Sequence, residues 1–168
     1  MLIGVITDSH DYLPNLRHAL GQLQSRGVAM IIHCGDLISP FVTRELGKIA
    51  IPVHTVFGNN DGDRFLAQKV AAKEAPNVKH HGEFGFVEVA GHRLGFTHYK
   101  EYAVGFAASA QCDAAFFGHS HQHHHEIVNG RLVLNPGELL GLLGKPAYCV
   151  YNTETRAFER VEFDQQPW

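Results

Sequence analysis

Five short apolar runs in this 168-residue chain each end in side chains able to hold a metal ion or move a proton. Residues 2–7 run into Asp8-Ser9-His10, and residues 30–34 into Gly35-Asp36. Residues 53–57 run into Gly58-Asn59-Asn60-Asp61, residues 94–97 into His98, and residues 114–117 into Gly118-His119-Ser120-His121. Carboxylate, imidazole and carboxamide together suit divalent manganese, iron or zinc. No cysteine lies among them, which argues against a closed zinc site built from thiolates. Glycine precedes three of these tips, at Gly35, Gly58 and Gly118, where it would permit the turn that swings a ligand back toward a metal.

Residues so far apart can act together only if the fold gathers them. The first half alternates apolar runs with amphipathic segments: strands over 2–7, 28–33 and 53–57, and helices over 14–25, 40–49 and 64–73. Leu16, Leu20 and Leu23 share one face of the first helix, and Pro40 opens the second. A β–α–β–α order predicts a parallel sheet with right-handed crossovers. In such sheets ligand sites lie beyond the carboxyl ends of the strands, which is where the five tips fall.

The second half is richer in strands, over 84–89, 93–97, 114–117, 126–128, 132–134, 147–151 and 157–163, with a helix over 102–110. Asn129-Gly130 is a strong hairpin signal, because both positions favour positive φ. The expected class is α/β, with two sheets packed together and helices outside, in a single domain over residues 1–168.

Hydrophobic residues make up 45% and charged residues 18%, the composition of a folded soluble chain. A formal net charge of -3 excludes broad electrostatic binding to nucleic acid. It leaves a phosphate-bearing substrate open, because bound cations bring charge the sequence does not display. The three cysteines form no CxxC pair and read as free thiols of a reducing compartment. No apolar stretch approaches a membrane span and no signal peptide is expected, so the cytoplasm is the default location. The sequence leaves the oligomeric state open, a homo-oligomer included.

The blocks Asp8-Ser9-His10, Gly35-Asp36, Gly58-Asn59-Asn60-Asp61, His98 and Gly118-His119-Ser120-His121 resemble, in order and spacing, the calcineurin-like metallophosphoesterases. More narrowly the chain resembles their small bacterial and archaeal phosphodiesterases, including the block Asn135-Pro136-Gly137-Glu138. That resemblance implies a four-layer αββα sandwich, two mixed β-sheets flanked by helices, with the metal site at the carboxyl ends of strands. It implies two divalent ions, manganese foremost, with iron, zinc or nickel as alternatives. Asp8, His10 and His121 would bind the first ion, Asn59, His98 and His119 the second, and Asp36 both. A hydroxide bridging the two ions would attack the phosphodiester of a small-molecule substrate. Two rival activities stay open. One is a phosphomonoesterase. The other is a non-catalytic protein-binding scaffold, since the fold also resembles a subunit of the eukaryotic retromer coat.

The chain departs from that family pattern at two places. Many relatives carry a histidine after the ligand asparagine, paired with an acidic residue, to protonate the leaving group. Here Asn60 is followed by Asp61, and a carboxamide cannot give up a proton. Asn60 and Asp61 are therefore expected at the reacting ester, without that acid. After His98, Tyr99-Lys100 replaces the usual Gly-His. Taken singly, Asp8 or Asp36 is a common helix-capping residue and Asn59 a common turn residue. His33 reads as a core or supporting group. His80 and His81 read as solvated, His123, His124 and His125 as mostly exposed, and Asn15 as a surface helix position. Phe84, Phe86 and Phe96 read as core.

Overall fold

Strand and helix alternate through the first half of the computed structural model, which describes residues 1–168. The elements are β1 (Leu2–Ile6), α1 (Leu13–Ser25), β2 (Met30–His33), α2 (Pro40–Leu46), β3 (Val53–Thr55), α3 (Arg64–Glu74) and β4 (Val78–His80). The second half holds β5 (Phe84–Val89), β6 (His92–Thr97), α4 (Lys100–Ala108), β7 (Ala114–Phe116) and β8 (His124–Val128). It closes with β9 (Arg131–Asn135), β10 (Ala147–Asn152) and β11 (Phe158–Glu162).

The strands form two mixed sheets. One has the order β11-β10-β1-β2-β3-β4, the other β5-β6-β7-β9-β8. Strands β1 to β4 run parallel in the first, and β6, β7 and β9 run parallel in the second. Each parallel block therefore sends all its carboxyl ends to one edge.

Alternation along each strand decides the layers. Ile3, Val5, Ile32 and Val56 from one sheet pack on Leu94, Phe96, Phe116 and Leu134 from the other, making the central apolar layer. Ile6 and Ile31 point the opposite way, onto Leu16, Leu20 and Leu23 of α1. Ala115, Phe117 and Val133 face Ala103 and Ala107 of α4. The result is helix, sheet, sheet, helix, with α1–α3 on one side and α4 on the other. Helix α2 stops three residues earlier than the sequence pattern implies. Gly47 ends it, where an added Cβ would collide with Ala75 at the end of α3, so the two helices pack too closely for a side chain there.

Three placements differ from the sequence reading. Asn15 is fully buried, not on the surface. Its amide donates to Leu139 O at 2.7 Å, and its Oδ1 accepts from Gln166 N at 2.9 Å, so it ties α1 to the chain after β9. The three phenylalanines split: Phe96 enters the central layer, while Phe84 and Phe86 lie on the far face against Phe106 of α4. His80 and His81 are half-buried rather than freely solvated. His80 lies in β4 and stacks on Phe57 with centroids 4.8 Å apart. His81 Nε2 is 2.8 Å from His54 Nδ1.

Burial pushes the His80 and His81 imidazoles each down to about 4. An unfolded chain would bind these protons near pH 6.5, so the stability contributed by the neutral rings is complete above about 6.5 and lost as pH falls toward about 4. Both rings keep some solvent contact, so the loss is about 1–2 kcal/mol rather than the full value of the shifts. Denaturant midpoints measured from pH 7 to pH 4.5 should fall, and His80→Gln should flatten that slope. An unchanged slope in the variant would show that other groups govern acid sensitivity.

Candidate metal centre

The five tips converge on one edge, where the strand ends of both sheets meet. Asp8 follows β1, Asp36 follows β2, Asn59 follows β3, His98 follows β6, and His119 and His121 follow β7. One ligand atom each from Asp8, His10, Asp36 and His121 lie within 4.8 Å of one another. His10 Nε2 is 3.7 Å from Asp8 Oδ1 and 3.4 Å from Asp36 Oδ2, and His121 Nε2 is 3.5 Å from Asp8 Oδ1. On the other side of Asp36, its Oδ2 lies 3.5 Å from His98 Nε2, which is itself 3.1 Å from Asn59 Oδ1. The exposed His119 ring stands edge-on to His98 at 5.1 Å. The structure thus brings together all seven residues that the resemblance assigns as ligands, with the Asp36 carboxylate between the two groups.

The backbone is bent sharply at these positions. Asp8, His10, Asp36, His119 and His121 have φ of 50°, 44°, 56°, 68° and 59°. Such left-handed conformations are costly for residues with a Cβ and persist where surrounding contacts over-determine them, often at functional sites. Here backbone bonds pin the loops: Asp8 N donates to Gly35 O at 3.1 Å, and His10 N to Asp36 O at 3.1 Å. Gly35, with φ of 96°, is a turn residue as expected, whereas Gly58 and Gly118 serve as spacers. Gly58 and Gly118 have ordinary φ, but a Cβ on Gly58 would strike the Asp36 carboxylate, and one on Gly118 would strike Thr7 Oγ1.

Neighbouring groups fix which ring nitrogen faces the centre. His98 Nδ1 donates to Cys34 O at 2.8 Å and His121 Nδ1 to Glu138 Oε2 at 2.7 Å, so in both rings Nε2 is the nitrogen that faces inward. Glu138 is itself held by Leu143 N at 2.6 Å and Gly144 N at 3.2 Å. No role was legible for Glu138 in the sequence; the only signal was its place in the Asn135-Pro136-Gly137-Glu138 block. His33, fully buried, shares a hydrogen bond of 3.1 Å with Ser9 Oγ and steadies the Asp8-Ser9-His10 loop. Burial pushes its ring down to about 3, so it stays neutral.

Two of the residues expected at the reacting ester are occupied with the loops. Asp61 accepts from Asp36 N at 3.0 Å, Ile38 N at 2.7 Å and Gly58 N at 2.6 Å, clamping two ligand loops together. Asn60 is exposed, and it donates to Asp36 from its backbone N (2.9 Å) and from its Nδ2 (2.7 Å).

The donor set fits divalent cations. Asp8 is fully buried; its Oδ2 accepts from Thr7 Oγ1 at 2.7 Å and His119 N at 3.1 Å, yet its Oδ1 has no hydrogen-bond partner. His10 Nε2 is likewise buried and unpaired. Unsatisfied polar atoms of this kind are expensive unless something binds them. Burial lowers His10 and His98, but the carboxylates of Asp8 and Asp36 outweigh it and raise both. Burial also raises Asp36, and bonds from His98 and Asn60 overcome it, holding the acid well below the usual range. Two buried carboxylates that draw protons onto adjacent imidazoles mark a centre short of positive charge.

A family model, the calcineurin-like phosphoesterase superfamily domain, matches residues 1–156. The chain belongs to that superfamily. It is a hydrolase of phosphoester bonds, and its cluster of aspartates and histidines is a potential metal-binding group. This phosphoesterase is 34% identical to a phosphodiesterase of Methanocaldococcus jannaschii over 96% of its own length and 98% of the relative's. Among solved structures, a novel archaeal phosphodiesterase superposes with a TM-score of 0.88 at 31% identity, covering 97% of this chain and 100% of that one. Vps29 of Entamoeba histolytica superposes at 0.68 with 20% identity, over 98% of this chain and 100% of that one, a likeness of fold.

The hydrogen bond from His121 to Glu138 carries a testable consequence. Partners that orient a metal-binding imidazole are typically worth about 10–100-fold in metal affinity. Glu138→Gln should therefore weaken cation binding by about that factor, measured by titration calorimetry, while the fold stays intact by circular dichroism. Unchanged affinity would assign Glu138 to holding the 143–144 turn alone.

Proposed function

We propose that this phosphoesterase hydrolyses phosphodiester bonds of small substrates with two divalent cations, manganese in preference. The observation that supports it best is the Asp36 carboxylate, 3.4 Å from His10 Nε2 on one side and 3.5 Å from His98 Nε2 on the other. Asp8, His10 and His121 would hold one ion, and Asn59, His98 and His119 the other, with Asp36 shared. When bound, such a pair supplies positive charge to the phosphoryl oxygens and lowers the pKa of water. The protein's own part is orientation. Cys34 O and Glu138 fix the tautomers of His98 and His121, and Asp61 clamps the Asp36 and Gly58 turns. The two aspartates leave a dinuclear centre net positive, which suits a diester monoanion on a chain of formal charge -3. Asn60 can donate a hydrogen bond to substrate but cannot act as an acid, which favours diesters over monoesters. The three buried free thiols support a reducing compartment, and we place the enzyme in the cytoplasm, as one catalytic domain over residues 1–168.

Chelation should abolish turnover of an aryl phosphodiester, and manganese should restore it with two ions per chain by elemental analysis. Values of kcat/KM on matched aryl diester and monoester substrates then decide the class. A monoester preference of roughly tenfold or more would make the enzyme a phosphatase. A chain that loads no metal and turns over neither substrate would instead be a scaffold.

A further inference from the structure

Beside His119 opens a cavity of about 320 Å³ that the ligand assignment does not use. It falls near the lower end of the size range of small-ligand clefts. Its walls are Lys100, Glu101, Ser120, Gln122 and His124 with His119 itself, and Phe117 is its one apolar residue. Lys100 is the first residue of α4, directly after the turn that carries His98, and the amino end of α4 has no side-chain cap. The Lys100 ammonium lies 3.0 Å from His124 Nε2 and 3.0 Å from Glu126 Oε1. An ammonium has three protons, so one is left for a ligand, and the two bonds hold the group in place.

Resting on the diesterase reading, we infer that this cavity receives one ester arm of the substrate and that the arm is a polyol, glycerol-like or sugar-like. The lining decides the class. An aryl or alkyl arm would find one apolar side chain, Phe117, and would leave the polar groups around it without partners. A second anionic group would meet the Glu101 carboxylate, and Lys100, whose charge is already partly offset by Glu126. A hydroxyl both donates and accepts, and the cavity offers donors and acceptors side by side: ammonium, carboxylate, carboxamide, hydroxyl and imidazole. Sequence alone points to Lys100 only as a departure from the family's usual residue. The cavity supplies its partners.

Three 4-nitrophenyl phosphodiesters that share a leaving group and differ in the other arm test this: propyl, glyceryl and methyl riboside. With manganese-loaded enzyme, kcat/KM should be roughly tenfold or more higher for a hydroxylated arm than for propyl, the effect of one or two net hydrogen bonds. Lys100→Met should shrink that preference to about threefold or less, and Lys100→Arg should keep most of it. Gln122→Ala, at an exposed position, should reduce it without threatening the fold. Whether glyceryl or riboside leads distinguishes glycerol-like from sugar-like substrates. In parallel, calorimetry on the loaded protein should show glycerol 1-phosphate binding roughly tenfold tighter than propyl phosphate, a difference lost in Lys100→Met. Equal affinities, or a polyol preference intact in every variant, would overturn the subsite. Failure to cleave any of the three diesters while the calorimetric difference stands would instead remove the diesterase reading and leave the subsite in place.

Discussion

Asp36→Asn is expected to cut kcat/KM on an aryl phosphodiester by about 10³-fold or more and to lower the content of both cations. Losing the shared carboxylate would loosen the cations, whose charge stabilisation at the reacting phosphoryl group is worth several kcal/mol, and about 1.4 kcal/mol corresponds to each factor of ten. The structure sharpens the expectation. Asn60 directs two donors at Asp36, its backbone N to Oδ1 and its Nδ2 to Oδ2. A carboxamide at position 36 must turn its own NH₂ toward one of them, so the turn after β2 loosens as well as losing charge. Asp61→Asn separates the two effects. Asp61 accepts three backbone bonds and lies outside the Asp8–His10–Asp36–His121 cluster, so its loss should lower activity through loop order while metal content falls less. Equal metal loss in both variants would show that loop order, not the shared carboxylate, sets occupancy. Full activity in Asp36→Asn would sink the dinuclear reading.

Aryl diesters should turn over about 10²–10⁴-fold faster than alkyl diesters, the usual worth of the general acid this centre lacks at Asn60. A steep dependence of kcat on leaving-group pKa is the direct readout. Asn60→His should flatten it, helping alkyl substrates most. The structure limits that gain. The imidazole would lose the Asn60 Nδ2 bond to Asp36, and Asp61, which the sequence suggests as its orienting partner, already accepts three backbone N–H bonds. One lone-pair direction of that carboxylate remains, so the variant should recover part of the gap. A flat dependence in the wild-type enzyme, with chemistry rate-limiting, would reveal another acid, and Lys100 or Tyr99 is the first to test. Tyr99 packs edge-on to His119 at 4.9 Å, close enough to the centre to be a candidate.

The sequence by itself determined the alternation of strand and helix in the first half, the parallel run of its strands, and the ligand-type residues at the five strand ends. These are local properties: buried parallel strands are written as apolar runs, and their ends as abrupt changes to polar residues. What lies at a distance along the chain was decided only by the tertiary structure. Glu138 reaches His121 across 17 positions, Asn15 reaches Leu139 across 124, and Lys100 meets His124 across 24. None of those pairings has a periodic signature, because side-chain contacts between loops depend on where two sheets meet. The edge strand β4 was hidden for a related reason: three residues are too few to show alternation, and His80 and His81 look polar until Phe57 and His54 pack on them. The roles of Gly58 and Gly118 were misread in kind, since flexibility is visible in a sequence but the closeness of Asp36 and Thr7 is not. Chain chemistry chose the ligands, and packing chose which of their atoms face the centre.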